Sequence, residues 1–340
     1  MHNHAQIMHK YPLAKIQVAV VGGSGYSGQE LQRLLNKHPH VEVKGLFNSQ
    51  NASQMKPADY QVVFLATPAE VSAELAPKIL EQGVSVIDLS GAYRLNTGDL
   101  KVTYKQWYEM VHPSTELIAK AQYGLVPWMT AQGNAPVLIS NPGCYATAIL
   151  MGLLPLLKDN LVHADSIIID AKSGTTGAGK KAVESQLFSE VDGECLPYKV
   201  GIHQHLPEVK LYSQIIGDYN IDPFFTTSLI PTRRGIIAGI YAKLNHGKQV
   251  SDVIHAFKDY YSSYPLVEVS SEITRDAVSL KKVVGTASTH ISFSVVGEKL
   301  YLFSCLDNLL KGAASQAIEN FNLIHQMPVT TGLEHLEAII

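Results

Sequence analysis

Ile16-Gln17-Val18-Ala19-Val20-Val21-Gly22-Gly23-Ser24-Gly25-Tyr26-Ser27-Gly28 is the stretch whose reading decides the fold. A largely apolar run of strand length enters a glycine turn, and the turn enters Glu30, Leu31, Leu34 and Leu35 at helical spacing. Strand, glycine turn and helix start come in the order a dinucleotide requires. Missing Cβ atoms let the backbone approach a pyrophosphate, and the unpaired N–H groups of the helix start face it. Gly22, Gly23, Ser24, Gly25, Tyr26, Ser27 and Gly28 are therefore candidate cofactor-binding residues.

Outward from this unit, a second apolar segment, Val41 to Phe47, ends in Asn48, Ser49 and Gln50. An Asp or Glu at that tip would accept the ribose hydroxyls of NAD and repel a 2′-phosphate, so its absence favours NADP(H), with Asn48 and Ser49 at the adenosine end. Two more buried segments follow, Val62 to Ala66 running into Thr67-Pro68, and Val84 to Leu89 running into Ser90. A helical pattern over Ala69 to Glu81 joins them, and Thr67, Pro68 and Ser90 complete the candidate cofactor set. The alternation predicts an α/β Rossmann fold, a doubly wound and mainly parallel sheet. Arg94 lies at the same carboxyl edge, either as a ligand contact or as a solvated surface arginine.

A further strand, Pro136 to Ser140, breaks at Asn141-Pro142-Gly143, and a helical pattern starts at Tyr145. Cys144 therefore sits at a helix start, where N–H groups and the helix dipole favour the thiolate, the nucleophilic form. A free cysteine is otherwise a small core residue; the Pro-Gly punctuation here favours the nucleophile. The helix continues over Ala146 to Leu157, and a strand over Ser166 to Ala171 opens into Lys172-Ser173-Gly174-Thr175-Thr176-Gly177-Ala178-Gly179-Lys180. Exposed backbone N–H groups and hydroxyls in such a turn fit an anionic substrate group; a flexible surface loop is the competing reading. Beyond it, His203 and His205 stand two apart with Glu208 three further on, a spacing for proton transfer beside a thiol. Cys144, His203, His205 and Glu208 also make a zinc set on paper, but no C-x-x-C or H-E-x-x-H spacing supports it, and no metal is expected.

Alternating segments at Phe224 to Ile230, Gly235 to Leu244, His290 to Val296 and Leu300 to Cys305 predict a mostly antiparallel sheet in a second, α+β domain, placed before a final helix over Lys311 to His325. The chain of 340 residues is 46% hydrophobic, and its 27 basic and 30 acidic residues are interspersed to a net charge of −3. Nucleic acid and an anionic membrane surface are thereby poor partners. Three cysteines without close spacing argue for a reducing compartment. No apolar run reaches the roughly 18 residues of a membrane span. A soluble, cytoplasmic protein is expected, with residues 1–14 a disordered leader and Met8 an alternative start.

Taken together, Gly22 to Gly28 with Tyr26, Asp88-Leu89-Ser90 with Arg94-Leu95, Tyr123-Gly124-Leu125, Asn141-Pro142-Gly143-Cys144-Tyr145, Lys172-Ser173-Gly174 with Gly177-Ala178-Gly179, and His203-x-His205-x-Pro207-Glu208 resemble the N-acetyl-gamma-glutamyl-phosphate reductases of arginine biosynthesis. Pro231 with Arg234-Gly235, and Asp307-Asn308-Leu309 with Lys311 to Ala314, extend the resemblance to the last helix. It implies an NADP-binding Rossmann domain from 15–144 and 310–340, a catalytic and dimerisation domain from 145–309, and a homodimer or homotetramer. It also implies thioacyl chemistry: Cys144 attacks an acyl phosphate, phosphate leaves, and hydride from NADPH reduces the thioester to the semialdehyde. His203 is then the base that keeps Cys144 ionised and the acid that protonates the alkoxide, although spacing alone does not order the two histidines. Arg94, Asn141, Ser173, Gly177, His205 and Glu208 become substrate-binding candidates, and Gly177 and Asn308 join the cofactor set. A homologous acyl phosphate such as aminoadipyl phosphate, or a non-catalytic NADP-binding protein, are the alternatives.

The sequence also departs from the family pattern. Asn48 to Ala58 is a short connection, Gly91-Ala92-Tyr93 precede Arg94, and Ala287-Ser288 follow Gly285-Thr286. Lys180 stands where the pattern has Arg, as does Gln204 between the histidines.

Overall fold

The computed structural model describes residues 14–48, 50–129, 136–180 and 183–338. The expected leader and Ser49 therefore fall largely outside the described residues. Two sheets organise the rest. The first has six parallel strands in the order β2-β1-β3-β4-β6-β5, with β1 Ile16–Val21, β2 Val41–Phe47, β3 Val62–Leu65, β4 Ser85–Asp88, β5 Gln122–Tyr123 and β6 Leu138–Ser140. Its interior strands read as apolar runs because both faces are covered. One face packs on the helix Tyr26–Lys37 and the final helix Ser315–Ile324, through Leu31, Phe64, Ile318 and Phe321. The other packs on the helices Ala69–Leu80 and Leu100–Tyr108, through Val63, Ala76 and Tyr104.

The second sheet has seven strands in the order β11-β12-β13-β10-β7-β9-β8, with β7 Ile168–Ser173, β8 Leu196–Pro197, β9 Phe224–Leu229, β10 Ile236–Lys243, β11 Val267–Ser270, β12 Thr289–Val296 and β13 Lys299–Leu306. Four of its six neighbouring pairs are antiparallel, while β7 with β9 and β11 with β12 run parallel. The Rossmann sheet and the mostly antiparallel second sheet are those expected from the sequence. The short strands β5, β8 and β11 were not, since two to four residues carry no detectable alternation.

The helix Cys144–Lys158 lies in the core over the second sheet and is buried from Tyr145 to Leu157. An all-round apolar helix is stable only when enclosed, and each Leu or Ile buried in it contributes about 1.5–3 kcal/mol. Gly152 permits its close approach to the second sheet: a Cβ there would lie 2.8 Å from Leu302 Cδ2. The deep packing fixes the axis of the helix, and with it the position of Cys144 at the N-terminal end.

Candidate active site

The glycine loop is built backbone on backbone. Gly22 has φ +89°, and a Cβ there would lie 2.3 Å from the Ala66 carbonyl oxygen; a Cβ on Gly28 would lie 2.3 Å from the Gly22 carbonyl oxygen. Gly25 caps the helix Tyr26–Lys37 without a side chain, and the first turn holds no acidic residue. The leading N–H groups are left to an outside anion, so the loop fits a pyrophosphate. Lys180 reaches the loop from the second sheet, donating to the Ser24 carbonyl at 2.8 Å and standing 5.4 Å above the Tyr26 ring. Asn48 is exposed at the tip of β2, where its side chain accepts from the Gln50 N–H at 2.8 Å. Thr67 bonds Ser72 at 2.8 Å, Pro68 precedes the helix Ala69–Leu80, and the Ser90 hydroxyl donates to Asp88 at 2.8 Å. Thr67 and Ser90 line a cavity of about 400 Å³ at the carboxyl edge of the sheet.

Cys144 opens onto a neighbouring cavity of about 310 Å³, whose walls include Ser173, Gly177, Lys199, His203 and His205. Thus the helix start, the glycine turn after β7 and the histidine segment meet at one place. Behind the wall lies Glu208, with none of its surface exposed. Its Oε1 accepts from the Gly143 N–H at 2.9 Å and from the Tyr123 hydroxyl at 2.8 Å. Its Oε2 stands 3.7 Å from Arg94 Nη1 and 4.0 Å from His205 Nε2, and accepts no hydrogen bond. Arg94, also buried, donates to the carbonyls of Asn141 at 2.9 Å and Leu89 at 2.9 Å. Asn141 donates to the Ala313 carbonyl at 3.1 Å and accepts from Asn320 at 3.0 Å.

Arg94, Asn141 and Glu208, expected at the substrate, also brace the nucleophile loop. Arg94 lines the carboxyl-edge cavity as well, and Glu208 Oε2 keeps an unused acceptor. Asn308, expected at the cofactor, makes bracing contacts of its own. Its Oδ1 accepts from the Gly235 N–H at 2.7 Å and its Nδ2 donates to Thr176 at 3.1 Å, which holds the glycine turn. The brace also crosses between the sheets, because Arg234 binds Glu30 at 2.7 Å and Asp307 at 2.8 Å.

The final helix begins differently from the simple helix expected over Lys311 to His325. Leu310–Ala314 forms a π-helical turn ahead of Ser315–Ile324, and a Cβ on Gly312 would lie 2.7 Å from Cys144 Cβ. Such turns recur at functional sites. Tyr123, Gly143, Lys199 and Gly312 had no assigned role at the sequence level. Tyr123, Gly143 and Gly312 lay inside quoted motifs and Lys199 four residues before His203, but the place of each depends on neighbours distant in the chain.

Electrostatics alters one expectation. Burial pushes the Cys144 thiol up to about 11, against the pull of the Arg94 guanidinium and the adjoining N–H groups. Burial, helped by the Lys199 charge, lowers His203 to about 4 and holds His205 well below the ordinary imidazole value. Desolvation thus favours a neutral thiol beside neutral imidazoles, opposing the thiolate that the helix start favours. The two rings also differ. His203 Nδ1 accepts from the His205 N–H at 3.2 Å, which puts its proton on Nε2, whereas buried His205 Nδ1 accepts nothing. Among the described residues no cluster of metal-ligating side chains exists.

Sequence comparison then decides the family. A chain of Geobacillus kaustophilus named N-acetyl-gamma-glutamyl-phosphate reductase is 39% identical over 345 residues, covering 94% of this chain and 99% of its own. One of Staphylococcus saprophyticus with the same name is 36% identical, covering 94% and 98%. The chain belongs to the N-acetyl-gamma-glutamyl-phosphate reductase family. It is an oxidoreductase of the semialdehyde dehydrogenase type. Residues 144–308 match the semialdehyde dehydrogenase dimerisation domain, and residues 17–59 and 50–134 match the semialdehyde dehydrogenase NAD binding domain. The fold is also that of aspartate semialdehyde dehydrogenase II from Vibrio cholerae, with a TM-score of 0.68 at 16% identity, covering 92% of this chain and 99% of that one. Aspartate semialdehyde dehydrogenase from Candida albicans, solved with NADP, matches at 0.62 and 15%, covering 92% and 99%.

Proposed function

We propose that the chain reduces N-acetyl-L-glutamyl 5-phosphate to N-acetyl-L-glutamate 5-semialdehyde with NADPH and release of phosphate, through a thioacyl intermediate on Cys144, as a cytoplasmic step of arginine biosynthesis. A homodimer or homotetramer is its expected form, in keeping with the dimerisation-domain match. The observation that carries the reading is a single nucleophilic thiol facing two unlike neutral histidines, beside a second cavity at the carboxyl edge of the Rossmann sheet.

In this reading His205, which lines the cavity with Cys144, takes the thiol proton at its unpartnered Nδ1 once substrate binding has brought the two together. The imidazolium so formed directs Nε2–H at Glu208 Oε2, an acceptor that otherwise has no donor. This reverses the ordering expected from sequence, in which His203 was the base. The thiolate attacks the acyl carbon, the bond from carbon to the phosphoryl oxygen breaks, and its electron pair leaves with phosphate, which takes up a proton from solvent. NADPH, when bound, supplies the hydride that reduces the thioester. His203 donates its Nε2–H to the carbonyl oxygen as charge develops there. Collapse of the tetrahedral oxyanion, held by that hydrogen bond, frees the aldehyde, and the departing thiolate takes the proton back from His205. Gly22 to Gly28 hold the pyrophosphate, while Thr67, Pro68 and Ser90 border the nicotinamide half. The uncharged tip of β2 favours NADP over NAD.

Phosphate-dependent reduction of NADP by N-acetylglutamate semialdehyde tests the reading, with NAD a poorer acceptor. Turnover confined to the homologous six-carbon semialdehyde would transfer the assignment to the aminoadipyl substrate. His205→Asn is expected to lose more in kcat than His203→Asn; the opposite ranking would restore the sequence-based order.

A further inference from the structure

We propose that Lys199, with Gln204 beside it, seats the phosphoryl group of the substrate at the junction of the two cavities. The inference rests on the reaction proposed above and names the group that receives its leaving phosphate. The Cys144 cavity and the carboxyl-edge cavity share two lining residues, Lys199 and Gln204. The acyl carbon must bond to Cys144 on one side and face the hydride donor on the other. Its phosphoryl group, one oxygen away from that carbon, therefore lies where the cavities meet. A dianion placed there needs a cation or fixed donors.

Lys199 meets that need. It is the one permanently cationic side chain on the Cys144 cavity among the described residues, and no carboxylate there lies within salt-bridge distance of it. Its backbone adopts φ +45°, a left-handed conformation uncommon outside glycine and concentrated at functional sites. Neighbouring bonds hold it there: the Tyr198 N–H donates to the Thr227 carbonyl at 3.0 Å, the Gly201 N–H to Phe225 at 3.2 Å, and the Ile202 N–H to Lys199 itself at 3.1 Å. The Lys199 charge is felt at both His203 and His205, which places it within electrostatic reach of the reacting atoms.

The remaining charges on the second cavity sharpen the placement. Glu70 and Glu109 line that cavity and disfavour a dianion beside them, while Arg94, which lines it too, gives Nε and Nη2 to the Asn141 and Leu89 carbonyls and faces Glu208 through Nη1. Gln204 supplies neutral donors at the junction, and Lys199 is the one lysine or arginine that lines both cavities.

The test uses the reverse reaction, in which inorganic phosphate is a substrate that can be varied independently. Lys199→Met should raise the KM for phosphate by about tenfold or more, the worth of a charged hydrogen bond, with the KM for semialdehyde within about twofold. Lys199→Arg should retain most of the phosphate affinity, and Gln204→Arg should lower the KM for phosphate below wild type. An unchanged KM for phosphate in Lys199→Met overturns the proposal. So does a rise confined to the semialdehyde KM, which would assign Lys199 to the substrate carboxylate.

A second readout needs no turnover. Inorganic phosphate titrated into the cofactor-free protein should shift the His203 ring signals in wild type and not in Lys199→Met, whose His203 should titrate at higher pH than in wild type. A wild-type protein that binds phosphate this way but does not turn over the semialdehyde would refute the reaction and leave the anion site standing. Normal turnover with a phosphate response that survives Lys199→Met would refute the anion site alone.

Discussion

Gly143→Ala probes the packing of the nucleophile loop against His205. A methyl group at this position would lie 2.1 Å from His205 Nε2, 2.5 Å from its Cδ2 and 2.8 Å from Arg94 Nη1. Ordinary contact begins near 3.4 Å, so the imidazole or the Cys144 loop must retreat by about 1.3 Å. Neither neighbour has room. His205 is 6% exposed and Arg94 5%, and the guanidinium is tethered to the carbonyls of Asn141 and Leu89. A misplacement of about 1 Å in a reacting pair lowers the rate about 10²-fold, and overpacking costs about 1–3 kcal/mol of stability. The variant should therefore show kcat reduced about a hundredfold in phosphate-dependent NADP reduction. Its melting temperature should fall by only a few degrees, and its NADPH affinity, measured by fluorescence titration, should match wild type. A folded variant with kcat within threefold of wild type would refute the claim that His205 is pressed against the nucleophile loop.

Two predictions follow from the electrostatics. Because burial pushes the Cys144 thiol up to about 11, its alkylation by iodoacetamide should accelerate about tenfold per pH unit from pH 7 toward 10; a plateau reached below pH 8 would show the preformed thiolate of the helix-start reading. Burial also lowers His38, His112, His203, His205 and His325. The unfolded chain then binds more protons than the folded one below the ordinary value of 6.5, so the stabilisation is full above that pH and is lost as pH falls toward the folded values, about 4 for His203. Melting temperature should decline from pH 6.5 to 4.5, beyond the loss seen in a variant with His205→Asn; a flat profile would contradict the buried neutral rings.

Much of the scaffold was legible because its signals are local. The bounds of β1 and β2 follow from apolar runs ending at a glycine turn and at Asn48, and the start of the Cys144 helix follows from Pro142-Gly143. Both sheets announced themselves by opposite patterns, continuous runs in one and alternation in the other. The brace behind the nucleophile was not legible. Tyr123, Gly143, Glu208 and Arg94 meet across separations that no periodicity encodes. The burial that raises the Cys144 thiol was not legible for the same reason, since a helix start is visible in sequence whereas the burial opposing it is a property of the assembled cavity. The order proposed for the histidines rests on one backbone bond, from the His205 N–H to His203 Nδ1, which appears only once the turn has formed.

The central claim, a thioacyl enzyme on Cys144, is tested most directly by mixing the protein with NADP and N-acetylglutamate semialdehyde in the absence of phosphate. Hydride transfer should then run once and stop at the thioester, giving a burst of NADPH equal to one per active site. A Cys144 peptide should carry the acyl group by mass spectrometry, and added phosphate should restore turnover. A burst that is absent, or that persists in Cys144→Ser, would contradict the account.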